Sequence, residues 1–164
     1  MNHAVRLWQR ACLPVALVLL TGCASQQHKP ATASETHWQG RLALKVFSKP
    51  LQAMSASFDL QGQPEHGELT LTSPLGTMLA RLQWAAGSAT LNANGEQKSF
   101  GSLQELARKA TGTDLPVSSL FAWLQGQDES VAGWQVDLTD LPNGRLQARH
   151  IEDVQAELKI ILDQ

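Results

Sequence analysis

The sequence has little of what usually carries chemistry or cross-links in a small protein. It contains no tyrosine, only two cysteines and 17% charged residues, against roughly 25% in an average soluble domain. Cys12 lies in the apolar leader described below, so Cys23 is the one thiol left for the rest of the chain. The sequence therefore excludes a disulfide, a cysteine-ligated metal and a cysteine nucleophile in the folded part, whose stability must come from a packed core.

Motifs typical of catalysis are also missing. No Gly-x-Ser-x-Gly elbow, phosphate-binding loop or dinucleotide fingerprint occurs in the 164 residues. The histidines after the leader, His28, His37, His66 and His150, do not have the helical or hairpin spacing of a metal site, and we interpret them as surface residues. The net charge of −2 includes no basic run that would favour nucleic acid. The sequence predicts a non-enzymatic protein with no metal, no cofactor and no nucleic-acid partner.

What the sequence does contain begins with a leader. Two arginines precede an apolar run at residues 11–20, which is too short to span a bilayer. The run leads into Leu-Thr-Gly-Cys, the lipobox pattern, in which the cysteine thiol receives a diacylglycerol and cleavage frees its amine. We therefore predict a lipoprotein signal peptide at residues 1–22 and lipidation at Cys23. The alternative is an ordinary signal peptide followed by a chance cysteine.

Two further segments follow the leader. Residues 23–36 are polar, small and nearly uncharged, so they cannot bury enough apolar surface to fold and are predicted to be a lipidated flexible tether. Ala24 stands where an Asp commonly retains such lipoproteins at the inner membrane, which favours the outer membrane. Residues 37–164 have the size of one domain.

Apolar and polar residues alternate in the first half of that domain, which predicts β-strands. Five short strands separated by turn residues are predicted between Trp38 and Asn94, and Asn94-Gly95 is a strong hairpin signal. Strands of this length and spacing indicate an antiparallel meander. We expect the apolar residues of each strand to share one inner face.

The pattern changes to helical spacing at Ser102. Ser102 and Glu105 have the spacing of a capping box at a helix start. A second short helix carries Leu120, Trp123 and Leu124 on one face, and this stripe is either helix core or a ligand-binding surface. About three strands follow from Trp134. The predicted fold class is mainly β (α+β).

The turn Ser73-Pro74-Leu75-Gly76 contains a large apolar side chain. Turns usually avoid such residues because their backbone stays at the surface. Leu75 is therefore either folded back on the core or an exposed contact residue.

Several motifs along the chain carry a family resemblance. They are Trp38-x-Gly40-Arg41-x-Ala43, Gly67-x-Leu69-x-Leu71-x-Ser73-Pro74-Leu75-Gly76, Leu115-Pro116-Val117-x-x-Leu120-x-x-Trp123-Leu124-x-Gly126 and Gly133-Trp134-x-Val136. In this order and combined with the lipobox, the motifs resemble the LolB family of outer-membrane lipoprotein receptors. The resemblance spans about Trp38 to Leu162. Typical members of the family have a strand pair between the helices and the Gly-Trp strand. In this sequence the segment from Gln127 to Ala132 is too short to hold that pair.

The resemblance implies a fold and a task. The fold is an incomplete antiparallel β-barrel with short helices covering an apolar cavity. The task is to accept lipoproteins from the periplasmic carrier LolA and insert them into the outer membrane, from its periplasmic face and anchored through Cys23. The implied partners are a LolA-like carrier, acylated lipoprotein cargo and outer-membrane lipids, and we expect a monomer.

The resemblance also implies two sites. Pro74, Leu75 and Gly76 correspond to a membrane insertion loop, which favours an exposed Leu75. The residues predicted to line the lipid cavity are Leu42, Leu44, Val46, Phe58, Leu69, Leu71, Met78, Leu82, Trp84, Leu120 and Trp123. The alternative function is a structural or assembly lipoprotein that binds an envelope protein partner. A filled core would support that alternative, whereas a connected cavity beneath the helices would support lipoprotein transfer.

Overall fold

The described part of the computed structural model covers residues 36–152 and 154–163. It holds nine strands: β1 (Thr36–Val46), β2 (Gln52–Gln63), β3 (His66–Thr72), β4 (Met78–Ala85), β5 (Ser88–Ala93), β6 (Glu96–Phe100), β7 (Trp134–Asp137), β8 (Arg145–His150) and β9 (Ala156–Leu162). Helices α1 (Leu103–Thr111) and α2 (Val117–Leu124) lie between β6 and β7, and a 3₁₀ turn (Leu141–Asn143) precedes β8. The predicted signal peptide, Cys23 and nearly all of the predicted tether lie outside the described residues. The chain divides into Met1–Ala31 and a second unit, Thr32–Gln164, to which every described residue belongs.

All nine strands form one antiparallel sheet. Its order is β6-β5-β4-β3-β2-β1-β9-β8-β7, so the first six strands are a meander and the last strand pairs with the first. In the described sheet β6 and β7 are the two edges and do not pair with each other. This confirms the predicted incomplete antiparallel barrel with short helices. As expected for the short segment at Gln127 to Ala132, the described chain has only an isolated bridge between Val131 and Trp134 there.

The core lies between one face of the sheet and the two helices. Buried strand residues on this face alternate with more exposed neighbours, as the period of two requires. Leu106 of α1 is 0% exposed, and Phe121 and Trp123 of α2 are 2% and 1% exposed. The buried strand residues of the same core cluster are Leu44, Val46, Ala56, Phe58, Leu60, Leu71, Trp84, Ala89, Trp134, Leu146, Ala148, Ala156, Leu158 and Ile160.

Helix α1 begins at the predicted capping box. The Ser102 hydroxyl accepts a hydrogen bond from the Glu105 backbone N–H at 3.1 Å, and the Glu105 carboxylate accepts one from the Gly101 N–H at 2.9 Å. The helix ends at Gly112, whose φ of +73° is left-handed. These contacts satisfy free backbone groups at both ends and hold α1 where Leu106 enters the core.

A glycine of the second sequence motif allows a close approach inside the sheet. A methyl group at Gly67 would overlap the Gln61 carbonyl oxygen and lie 2.5 Å from Cζ2 of Trp84. The Trp84 indole N–H donates to the Gln63 carbonyl at 2.9 Å, so the ring cannot turn away without losing that bond. Gly67 is therefore required by the position of Trp84.

We expect Gly67→Ala to lower the free energy of unfolding by about 1–3 kcal/mol, as overpacking of a filled site does. Urea denaturation followed by tryptophan fluorescence measures the loss. Gly101→Ala is the matched control, because the nearest atom to its added methyl group would be Oε2 of Glu105 at 3.4 Å. Equal stability of the two variants would contradict the close approach.

Candidate functional site

The turn between β3 and β4 presents Leu75 to solvent. The Gly76 N–H donates to the Ser73 carbonyl at 2.9 Å, and the Ser73 N–H donates to the Thr77 carbonyl at 2.8 Å. The Ser73 hydroxyl accepts a further hydrogen bond from the Thr77 N–H at 3.2 Å. Gly76 has a φ of +82°, which favours glycine. These bonds fix the turn, and the Leu75 side chain is 94% exposed. Of the two alternatives for Leu75, the structure therefore has the exposed one.

The prediction that Met78 shares the inner face is wrong. The register of β3 and β4 shifts between Leu71 and Thr72, so that Leu71 lies opposite Ala80 whereas Thr72 lies opposite Met78. The extra residue in β4 breaks the alternation that placed Met78 in one row with Leu82 and Trp84. Met78 is 53% exposed.

The other residues predicted to line the cavity do lie on the inner side. Those that are buried are Leu44, Val46, Phe58, Leu71, Trp84 and Trp123, and those that are partly buried and packed against the core are Leu42, Leu69, Leu82 and Leu120. Trp84 points inward and is 6% exposed, which confirms the face assigned to β4 beyond the bulge. The structure thus brings these side chains together, although their binding of lipid stays a prediction.

Phe121 is an inner-face residue of α2 that the sequence pattern missed. Its ring makes edge contacts with Trp38 and Trp84, with centroids 5.7 Å and 6.2 Å apart. Val117, Phe121 and Leu124 have i, i+4, i+7 spacing, which is the signal that would have identified this face. Leu120, which was assigned to the buried stripe, is only partly buried.

In the described part of the chain the interior is filled beneath the helices, whereas Leu42, Leu69 and Leu82 of the inner face stay partly exposed. Side chains of Leu106, Phe121 and Trp123 occupy the space between the helices and the sheet. A cleft of about 260 Å³ lies at one end, where the β2–β3 and β4–β5 turns meet the first residues of α1 and α2; it is lined by Pro64, Glu65, Trp84, Ala85, Ala86, Gly87, Ser102, Leu103, Gln104, Val117 and Ser118. Helix side chains thus occupy part of the predicted apolar cavity, because Phe121 of α2 lies against Trp38 and Trp84 of the sheet.

Polar side chains line a second groove of about 440 Å³, which lies on strands β1, β2 and β3. The Asp59 carboxylate accepts hydrogen bonds from Gln39 at 2.6 Å and Gln61 at 3.0 Å, and it lies 3.1 Å from Nε2 of His37. Burial acts to raise the pKa of Asp59, but the two amide donors and the nearby His37 together bring this pKa below its usual value. The described residues include no group of three or more potential metal ligands. This groove is a hydrogen-bonded surface network.

The histidines differ in their surroundings. His37 and His66 are exposed, as predicted. His150 is half-buried: its ring packs on Trp134 with centroids 5.2 Å apart, and Nδ1 lies 2.9 Å from the Val154 carbonyl. The prediction that His150 is a surface residue is therefore wrong, because its ring completes the packing beside β7.

Neither helix within the described ranges has the length and apolar character needed to cross a bilayer.

Comparisons with known proteins give a consistent result. The sequence profile of the family "Outer membrane lipoprotein LolB" matches residues 35–159. A protein of Pseudoalteromonas translucida named outer-membrane lipoprotein LolB is 33% identical over 136 residues, which cover 76% of this chain and 65% of that relative. Relatives of the same name from Bordetella petrii and Chromobacterium violaceum are 35% and 31% identical, over 79% and 72% of this chain and 67% and 68% of their own lengths. The chain thus spans about two thirds of the length of these relatives.

Proposed function

The chain belongs to the LolB family of outer-membrane lipoproteins, and we propose that it accepts acylated lipoproteins from a periplasmic LolA-like carrier and inserts them into the outer membrane. The observation that carries the proposal is the 94% exposure of Leu75 in a turn held by hydrogen bonds. An exposed leucine at a rigid tip is poorly explained by folding, since it buries no surface. It is well suited to contact the apolar part of a bilayer.

The energetics of the cargo require such a receptor. An acyl chain of about 15 methylenes costs roughly 12 kcal/mol to leave in water, at about 0.8 kcal/mol for each. The sequence has no nucleotide-binding motif, so transfer runs downhill from carrier to receptor to bilayer. The receptor must therefore hold the chains only modestly and must have a route to the membrane.

The inner face provides the apolar surface for the chains. Phe121 and Trp123 of α2 now cover the tryptophans and leucines of the sheet. In this proposal the acyl chains enter at the cleft beside Trp84 and Val117 and take the place of α2 side chains. Helix α2 starts at Pro116 without a side-chain cap, so its first turn is held mainly by packing.

The proposed organisation has three parts: a signal peptide at residues 1–22, a lipidated tether at 23–36 and a receptor domain at 37–164. We expect Cys23→Ser to yield a chain without lipid, because only the thiol is alkylated. Mass spectrometry of the N-terminus of the exported protein measures the modification. Cys12→Ser is the control and should leave lipidation unchanged. An unmodified Cys23 in the native protein would contradict the proposed lipid anchor.

A two-step transfer assay tests the function. Purified protein is first mixed with a periplasmic carrier loaded with an acylated lipoprotein, and the receptor-bound cargo is measured. Phospholipid vesicles are then added, and cargo in the vesicles is measured after flotation. We expect cargo to move in both steps. No uptake from the carrier would contradict the proposal.

The alternative of a structural or assembly lipoprotein is supported by the part of the interior that helix side chains fill. Membership of the family and the exposed leucine favour transfer over it, because a purely structural lipoprotein needs no apolar tip. The first step of the assay separates the two functions: an assembly lipoprotein would bind its envelope partner but take no acylated cargo from a carrier.

A further inference from the structure

The exposed apolar residues gather at one end of the sheet. The β1–β2, β3–β4 and β8–β9 connections share this end, which we call the loop end: Val46 pairs with Gln52 and Ala156, and Thr72 pairs with Ser57. The large exposed apolar residues at the loop end are Phe47, Leu51, Met54, Leu75, Met78, Leu79 and Ile151. A further one, Ile161, lies toward the other end, opposite Arg145 at the start of β8.

The β1–β2 connection presents two of these residues on an ordered backbone. The Phe47 N–H donates to the Gln155 carbonyl at 2.8 Å, which continues the pairing of β1 with β9 by one residue. Val46 is buried on the inner face, so the next side chain, Phe47, points away from the core and is 49% exposed. The Ser48 hydroxyl donates to the Pro50 carbonyl at 2.7 Å, and Leu51 follows at 60% exposure.

The β1–β2 and β3–β4 connections carry charge of one sign, whereas the β8–β9 connection at the same end carries Glu152. From Val46 to Phe58 the one charged residue is Lys49, and from Leu69 to Ala80 there is none. Two connections with aromatic and aliphatic side chains, one lysine and no carboxylate match the boundary of an anionic bilayer, where apolar residues enter the acyl region and lysine stays with the phosphates. A protein groove would instead have to supply both an apolar pocket and a carboxylate.

We propose that the β1–β2 connection is a second membrane contact, in which Phe47 and Leu51 enter the boundary of an anionic phospholipid bilayer beside Leu75 while Lys49 binds the headgroup phosphates. The inference rests on the proposed function and extends it. One inserted leucine would leave the domain free to pivot on its tether. Two contacts on neighbouring connections define an edge and fix which end of the sheet meets the bilayer.

The test uses the full lipidated chain in vesicles of phosphatidylethanolamine and phosphatidylglycerol. Leu51→Cys and Phe47→Cys carry an environment-sensitive dye, with Leu75→Cys as the positive control and Ile161→Cys as the matched exposed control. We expect dye at positions 47, 51 and 75 to emit at shorter wavelength, to be quenched by brominated acyl chains and to lose most of its quenching by aqueous iodide. Dye at 161 should stay open to iodide. Dye at 51 as open to iodide as dye at 161 would overturn the inference.

The lysine is tested in the same labelled chain. Adding Lys49→Glu to Leu51→Cys should restore iodide quenching and abolish the spectral shift, whereas Lys49→Arg should preserve both. An unchanged signal in the Glu variant would contradict the role of Lys49. Shielding of the dye by a loaded carrier or by a second copy of the chain, with none by vesicles, would replace the bilayer with a protein partner and overturn the inference.

The outcome separates the contact from the function. If unlabelled chain takes no cargo from a carrier while dye at 51 enters vesicles, the proposed transfer function fails and the membrane contact stands. If cargo reaches vesicles normally while dye at 51 stays in water, the function stands and this contact is wrong.

Discussion

We expect Leu75→Glu to fold normally and accept an acylated lipoprotein, yet to fail in releasing it into membranes. The side chain is 94% exposed, so a carboxylate there costs little free energy of folding. Carrying that charge into a bilayer costs roughly 2.5 kcal/mol or more at depth. Since each 1.4 kcal/mol is tenfold, membrane engagement should fall by about 60-fold. Cargo should therefore accumulate on the receptor.

Thermal melts and the two-step assay measure the two parts of this prediction separately. Ile161→Glu is the matched control, since it adds the same charge at an exposed apolar residue toward the other end of the sheet, opposite Arg145. The control should melt and deliver as the unaltered protein does. A large loss of stability in Leu75→Glu, or normal delivery of cargo to vesicles, would count decisively against an insertion role.

Trp123→Ala should cause the largest loss of stability among single substitutions in α2. Trp123 is 1% exposed, its indole N–H donates to the Glu129 carbonyl at 2.9 Å, and its ring lies 6.3 Å from that of Trp134. Removing a buried tryptophan typically costs about 3–5 kcal/mol. The free energy of unfolding from urea titration measures the loss.

Leu75→Ala is the control for that measurement, because an exposed side chain away from special features changes stability by less than about 0.5 kcal/mol. A loss below about 1 kcal/mol in Trp123→Ala would be inconsistent with the packing of α2 on the sheet, given the usual cost of emptying a filled core. It would mean that the interior is already open to water in solution, as the predicted cavity required.

Alternation along the chain was enough to predict most of the sheet. In β1 the period of two places Leu42, Leu44 and Val46 on one side, and the register with β2 and β9 keeps them there. The same rule failed at Met78, because a bulge adds one residue to β4 and shifts every position before it. A bulge between two apolar stretches leaves no mark in the pattern of polar and apolar residues.

The helices show a different limit. Helix α2 has eight residues, barely two turns, so more than one apolar stripe fits its sequence. The stripe that is buried is the one with Phe121, because the rings of Trp38 and Trp84 on the sheet pack against Phe121. Whether the inner face is open or filled also depends on this contact, which joins residues far apart in the chain. The exposure of Leu75 was not predictable from its own turn, which left a buried and an exposed side chain open; the family resemblance favoured the exposed one, and the structure has it.

The two edge strands affect the tendency of the protein to aggregate. An edge carries free backbone N–H and C=O groups that can add a strand from another chain, which starts aggregation. Within the described sheet β6 has five residues, with Glu96 and Lys98 exposed, and β7 has four and ends at the exposed Asp137. Short edges with charged side chains disfavour such addition. If the proposed function holds, the chain can therefore keep its barrel open near acylated cargo without becoming a template for amyloid-like growth.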